Sequence, residues 1–198
     1  MTADLSRVRA VVVSWNSEGL VGRAVASVPS PARVVVVDNA SADGSADEAA
    51  RAGATVVRQE RNSGFGPASN LGAGEVPGLP PAEAILFLNP DAALFGGEAA
   101  LETLLTALDA DPLVAAVAPA LEGDGQEPFQ LRRLPTLGSL AREAFLVNRL
   151  LPGNPGFLRE RYLDRDRRQP FDVEQPAAAA LLVRAAVFAE VGGFDPAF

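Results

Sequence analysis

The sequence predicts an α/β fold, three-layered, with a mostly parallel central sheet. Strand-length apolar runs recur along its first half, apolar on both faces, as strands covered by helices on each side require. Stretches with helical spacing separate them, and three of the runs end in a polar cluster. In a parallel sheet those ends share one edge, where ligands collect.

The expected strands are Ala10 to Trp15, Arg33 to Asn39, Ala54 to Gln59, Ala84 to Asn89 and Leu113 to Pro119. A helix over Ser17 to Val28 follows an Asn-Ser cap, and one over Ser45 to Ala52 opens with Ser and early acids. Asn62 to Gly74 reads as a glycine turn leading into a short helix. Gly97 to Ala110 spaces Leu101, Leu104, Leu105 and Leu108 at helical intervals. From about Glu122 the pattern weakens into stretches rich in Gly, Pro and charge, read as long loops with a short helix near Ser139 to Leu150. Arg159, Arg161, Arg165, Arg167 and Arg168 could face a phosphate. The interleaved Glu160, Asp164 and Asp166 point instead to a solvated, self-paired surface. A strand through Val183 and a helix ending at Gly192-Gly193 close the chain.

Composition narrows the chemistry. The length of 198 residues suits one domain better than two. A formal charge of -8 argues against a sequence-independent grip on nucleic acid, so none is expected as a partner. With no Cys, a disulfide framework, a thiolate zinc site and a cysteine nucleophile are excluded. With no His either, acid–base and metal chemistry falls to Asp, Glu and oxygen donors with hard cations such as Mg2+ or Mn2+. No apolar run reaches the roughly 18 to 20 residues that cross a bilayer. The N-terminus lacks the apolar middle of a secretory signal, so the expectation is a cytoplasmic chain, with peripheral association at the inner face of a membrane left open.

The polar clusters are VSWNSEG, VDNASADGS and NPDA, so Trp15, Asn16, Asp38, Asn39, Asn89 and Asp91 are expected to converge. Asp38 suits a turn. It equally suits hydrogen bonding to a nucleobase N–H or a ribose hydroxyl. Asp91 suits a Pro-initiated turn or, fixed at the sheet edge by Pro90, a hard-cation ligand bridging a diphosphate. The spacing in GFGPASNLG matches neither the dinucleotide fingerprint nor the P-loop. Asn62 and Asn70 flank that turn and would line the same edge.

VVVSWN, VVVDNASADGS, NSGFGPASNLG, LFLNPDA and LLVRAAVFAEVGGFDPAF, in this order, resemble the inverting GT-A glycosyltransferases of family two, most closely the rhamnosyltransferase-like branch of cell-wall and surface polysaccharide synthesis. The resemblance implies a GT-A, Rossmann-like three-layer sandwich forming a single domain, with a nucleotide-sugar part at 1–121 and an acceptor-side region at 122–198. Ser14, Trp15, Asn16, Asp38 and Asn39 would then hold the base and ribose of a nucleotide-sugar donor. Asn62, Gly64, Phe65 and Asn70 would shape the wall beside the sugar diphosphate. NPD stands where the family carries its Asp-x-Asp motif, making Asp91 the metal ligand and Asn89 a neighbouring polar contact. A single carboxylate implies weaker dependence on Mg2+ or Mn2+. Ala178 and Ala179 replace the family's small pair where the acceptor, a glycan, lipid-linked or other hydroxyl, approaches.

The resemblance places the general base in a Glu-Asp pair after GGFDxxF, which here would lie beyond Phe198. Glu174, Glu190 and Asp195 are the remaining acids nearby, and Asp195 suits holding its own loop. The expectation is therefore a chain that binds the nucleotide, dTDP-rhamnose being the branch's common donor, and turns it over poorly or not at all. The rivals are a catalytically silent nucleotide-sugar binding or partner-interaction domain and, well below it, a nucleotidyltransferase, whose Gly-rich loop with Arg and Lys is missing from VVVSWNSEG.

Overall fold

The structure is a computed structural model describing residues 3–123, 130–166 and 169–197. Arg167, Arg168, Phe198 and the middle of the first charged stretch after Glu122 lie outside the described residues. The chain forms two compact units, Met1–Pro119 with Ala178–Phe198, and Ala120–Ala177.

The first unit carries a six-stranded sheet in the order β3-β2-β1-β4-β8-β5. Strands β1 (Val8–Ser14), β2 (Arg33–Asp38), β3 (Thr55–Arg58) and β4 (Ala84–Leu88) are parallel. β8 (Ala180–Arg184) runs antiparallel to β4, and β5 (Ala116–Val117) antiparallel to β8. β5 is shorter than its apolar run predicts and stands at the sheet edge with one partner. The fold is thus α/β with a mostly parallel sheet.

Alternation along the strands sets the two faces. Val35 and Val37 bury against α3 (Phe65–Ala73) through Ala68. Val11, Ile85, Phe87 and Val183 gather Ala73 of α3 and Ala185 and Phe188 of α8 (Ala185–Glu190). Helices α1 (Val21–Ser27), α2 (Ser45–Arg51) and α4 (Glu98–Asp109) pack beside β1, β2 and β8. In α4 the predicted stripe Leu101, Leu104, Leu105 and Leu108 is buried.

Gly72 explains how closely α3 approaches the sheet: a Cβ there would stand 2.5 Å from Val11 Cγ1. Buried Arg9 fixes the end of the same helix, its guanidinium donating to the carbonyls of Gly74 at 2.5 Å and Pro80 at 2.6 Å. A cation among C-terminal carbonyls complements the helix dipole, while desolvation pulls the Arg9 pKa below its ordinary value.

The α1 expectation needs correction at its start. Ser17 to Leu20 form turns, and α1 begins at Val21 without a side-chain cap from its own N-cap residue, Leu20. Glu48 of α2 supplies the acceptors instead, at 2.6 Å from the Gly19 amide and 3.0 Å from the Gly22 amide. A carboxylate there also suits the positive end of the helix.

The second unit pairs β6 (Leu131–Arg132) with β7 (Gln175–Pro176) antiparallel and holds α5 (Leu137–Ala144), α6 (Val147–Leu150) and α7 (Pro155–Glu160). The last helix falls where the sequence reads as loop. Asn154 caps it by accepting from the Phe157 amide at 2.9 Å, and Pro155 starts it with a preset φ. Tyr162 is the buried centre: its hydroxyl accepts from the Glu174 amide at 3.1 Å and its ring lies 4.6 Å under the Arg133 guanidinium. Glu160 pairs with Arg142 of α5 at 3.0 Å. No helix among the described residues is long and apolar enough to cross a membrane.

Candidate functional site

The carboxyl edge of the sheet collects the three polar clusters. Ser14 and Asp38 end β1 and β2 as register partners, which puts their side chains on the same face. Both are buried, Asp38 to 4% exposure, and both Ser14 Oγ and Asp38 Oδ1 lack a hydrogen-bond partner among the described residues. Asp38 Oδ2 has only a long contact, 3.4 Å from the Ser41 amide. Buried polar atoms left unpaired cost about 1 to 3 kcal/mol each, so a neighbouring pair of them marks this spot.

The loops beyond these strands are laced together. The Asn16 amide donates to Ser41 Oγ at 3.0 Å, and Asn16 Oδ1 accepts from the Ala42 amide at 2.8 Å. The Ser17 amide donates to Ser45 Oγ at 2.7 Å, the Glu18 amide to Asp43 at 3.1 Å, and the Gly44 amide back to Glu18 at 3.1 Å. This lacing holds Asn16 and Ala40 at φ +50 and +63, a left-handed conformation that costs of order 1 to 3 kcal/mol without such support. Hydrogen bonds, foremost from the Ser45 hydroxyl, hold the Asp43 carboxyl below the usual carboxylate range. Nothing beyond the Ser, Asp and Gly punctuation of NASADGS signals Ser41, Asp43 and Ser45 in the sequence, and nothing there shows that Glu18 and Glu48 accept from the facing loop.

Asn39 is equally committed. Its Oδ1 accepts from Gln59 Nε2 and the Ser63 amide, each at 2.9 Å, and its Nδ2 donates to Asn62 Oδ1 at 2.8 Å and Gly64 O at 3.2 Å. Asn62 Oδ1 also accepts from the Gly64 amide at 2.9 Å. Asn39, Asn62 and Gly64 thus build the wall leading into α3. Asn70 binds Phe194, with Nδ2 donating to the carbonyl and Oδ1 accepting from the amide, both at 2.8 Å. Phe65 meets Phe194 edge to face at 5.6 Å and stays partly exposed.

Trp15 remains open, with 56% of its surface exposed beside Ser14. On β4, the Ala92 amide closes a turn onto the Asn89 carbonyl at 3.1 Å, with Pro90 and Asp91 at its corners. The Asn89 amide donates to Ala179 O at 2.9 Å, so the start of β8, with Ala178 and Ala179, lies at the same edge. Asp91 is exposed and makes no hydrogen bond or ion pair among the described residues, among which no cluster of three or more acids could hold a metal alone. The donors at this edge are all oxygens, which fits a hard cation sharing its coordination with a bound ligand. Ser69 Oγ on α3 is also buried and unpaired, a position that a serine inside a helix does not advertise in sequence.

The sequence model described as Glycosyl transferase family 2 matches residues 10–173. Glucosyl-3-phosphoglycerate synthase from Mycobacterium tuberculosis, solved with uridine-diphosphate, superposes with a TM-score of 0.52 at 17% identity over 91% of this chain and 57% of that one. The same synthase with Mn2+, uridine-diphosphate and glucosyl-3-phosphoglycerate gives 0.50 at 18% identity, covering 91% and 57%. S. aureus TarS gives 0.41 at 23% identity, covering 52% of this chain and 19% of that one. The chain therefore spans little more than half of the mycobacterial synthase and a smaller share of TarS. A search of the curated proteins finds no match.

Proposed function

The chain belongs to glycosyl transferase family 2, and on that premise we propose that it binds a nucleotide-diphosphate sugar at the carboxyl edge of its sheet for transfer to an acceptor hydroxyl with inversion. The observation that carries this is the buried, unpaired pair Ser14 Oγ and Asp38 Oδ1. A nucleobase N–H or a ribose hydroxyl gives the Asp38 carboxylate the donor that the protein withholds. The exposed Trp15 ring offers a face for the base, and the wall of Asn39, Asn62, Gly64 and Phe65 bounds the site. Asn16, Asn39 and Asn62 act on the donor through the loops they fix; Asn70 acts through the turn that it clamps.

Asp91 would hold a divalent cation, Mg2+ or Mn2+, with Asn89 beside it. When bound, the cation would neutralise charge on the leaving diphosphate. The acceptor, a glycan or lipid-linked hydroxyl, would approach past Ala178 and Ala179. Placing the donor part at 1–121 and the acceptor side at 122–198 belongs to this reading, as do the rhamnosyltransferase-like branch, a role in cell-surface glycan synthesis and work at the cytoplasmic face of a membrane.

One observation favours the second reading, a donor-binding domain that turns over poorly. Asp195 spends Oδ1 on the Ala197 amide at 2.9 Å, and Glu174 binds Arg133 at 3.1 Å and the Leu134 amide at 2.7 Å. Asp195 serves its own loop, and Glu174 ties down the segment that follows β6.

The test is isothermal titration of UDP, dTDP and GDP, each with and without Mn2+, into the wild type and into Asp38→Ala and Asp91→Ala. One nucleotide should bind, more tightly with Mn2+. Asp38→Ala should lose binding in both conditions, and Asp91→Ala should lose the Mn2+ increment. Failure of every nucleotide to bind the folded chain sinks the reading, and full turnover by the purified chain sinks the second one.

A further inference from the structure

Helix α5 is amphipathic, yet it is mounted the wrong way round for a soluble protein. Leu137, Leu140, Ala141 and Ala144 recur at the three- and four-residue steps of one helix face, and all four are exposed, Leu137 to 87%. The opposite face, carrying Ser139 and Arg142, is the one the unit covers. Ser139 is buried within the capping box with Thr136, and Arg142 reaches Glu160 of α7. The apolar surface continues past α5: Phe145 is 77% exposed and Leu150 75%, with Leu146 and Leu151 also open.

Charge distinguishes among the candidates for covering such a surface. Of the four arginines between Gln130 and Leu151, Arg133 and Arg142 are paired with Glu174 and Glu160, which leaves Arg132 and Arg149 beside the single acid Glu143 of that stretch, in a chain whose net charge is -8. Arg132 and Arg149 are exposed and make no ion pair among the described residues. A second copy of the chain, docked face to face about a two-fold axis, would bring these arginines against each other. An anionic bilayer surface matches both features, taking leucine and phenylalanine at the acyl boundary and arginine at the phosphates.

We propose that the outward face of α5 and α6, with Leu137, Leu140, Phe145 and Leu150 as its apolar anchors and Arg149 as its phosphate contact, docks the chain onto an anionic lipid bilayer. This deepens the reading of a transferase working at a membrane face by naming the surface, and it rests on that reading.

The experiment is flotation of the 198-residue chain with vesicles of phosphatidylcholine alone or with about a third phosphatidylglycerol, at low and high salt, beside nucleotide titration of the same samples. The wild type should float with the anionic vesicles at low salt, and less in high salt or without phosphatidylglycerol. Leu137→Glu with Leu140→Glu should weaken vesicle binding about a hundredfold, since each exposed leucine inserted contributes about tenfold. Arg149→Glu should weaken binding to anionic vesicles only. These side chains face solvent, so thermal unfolding and nucleotide binding should be unchanged. Absence of flotation by the folded wild type overturns the proposal whether or not nucleotide binds. A dimer in light scattering that Leu137→Glu with Leu140→Glu dissolves, without vesicle binding, overturns it in favour of a second copy. Flotation without nucleotide binding leaves the docking surface standing and removes the donor reading.

Discussion

The side-chain amide of Asn70 holds both main-chain groups of Phe194, donating to its carbonyl and accepting from its amide at 2.8 Å each, across 124 residues of chain. The pair ties α3 to the turn that follows α8 and sets Phe194 among Phe65, Phe87 and Phe188, with ring centroids 5.0 to 5.6 Å away. Gly193 permits it: a Cβ there would stand 2.6 Å from Asn70 Oδ1.

Asn70→Ala should therefore leave a donor and an acceptor of Phe194 without their partners. The expected cost is about 2 kcal/mol, or about 4 to 8 °C in Tm. Asn70→Asp keeps the acceptor and loses the donor, and should fall between the two. Hydrogen exchange at the Phe194 amide is the specific readout. Protection there that survives Asn70→Ala would show that the aromatic cluster alone fixes the turn.

Gly72 gives a packing test free of polar complications. A Cβ would meet Val11 Cγ1 at 2.5 Å and Val37 Cγ2 at 3.1 Å, both on buried strands with no room to retreat. Gly72→Ala would be mildly favourable in an open helix. Here overpacking should dominate and destabilise by about 1 to 3 kcal/mol in urea unfolding. Val11→Ala, destabilising alone, should recover part of the loss when combined with it, a coupling that a double-mutant cycle measures.

How far the sequence was legible follows from which forces acted locally. β1, β2 and β4 are buried on both faces, so their apolar runs stand out and end within two residues of the expected places. That Ser14 and Asp38 share an edge follows from strand alternation and parallel pairing. The uses of Asn39, Asn62 and Asn70 do not follow, because an Asn beside a turn reads the same whether it faces a ligand or a distant loop. The start of α1 was hidden for a related reason, its acceptor being Glu48 on another helix. α7 is hidden in the sequence because NPG reads as loop punctuation, although Asn-Pro is also an N-cap followed by a first-turn proline.

The lacing of the two loops should be acid-sensitive. Asp43 accepts from the Ser45 hydroxyl and from the amides of Glu18 and Ser45, which lowers its pKa below the ordinary 3.8. With the folded value depressed, its contribution is fully present above pH 3.8 and is lost as pH falls through the lower folded value. Asp43→Asn should flatten that part of the stability–pH curve and leave the neutral limb parallel to wild type. Acid unfolding followed by circular dichroism, wild type beside variant, is the measurement. Identical acid limbs would remove Asp43 from the lacing.

Asp38 and Asn39 are adjacent, similar in size and equally buried, yet their substitution should have opposite signatures. Asn39 spends its amide on Gln59, Asn62, Ser63 and Gly64, so Asn39→Ala should cost about 2 to 4 kcal/mol. Asp38 keeps a buried carboxylate oxygen unpaired, a cost that the free protein carries. Removing the charge in Asp38→Asn should leave the unfolding free energy unchanged within about 1 kcal/mol or raise it, while weakening nucleotide binding about ten- to a hundredfold. Stability from urea unfolding and affinity from titration, taken on both variants, separate the two roles. If Asp38→Asn loses stability as Asn39→Ala does, the carboxylate is a structural group and the donor site lies elsewhere along the edge. If it gains stability and loses the nucleotide, the unpaired oxygen is what the fold holds in reserve for its ligand.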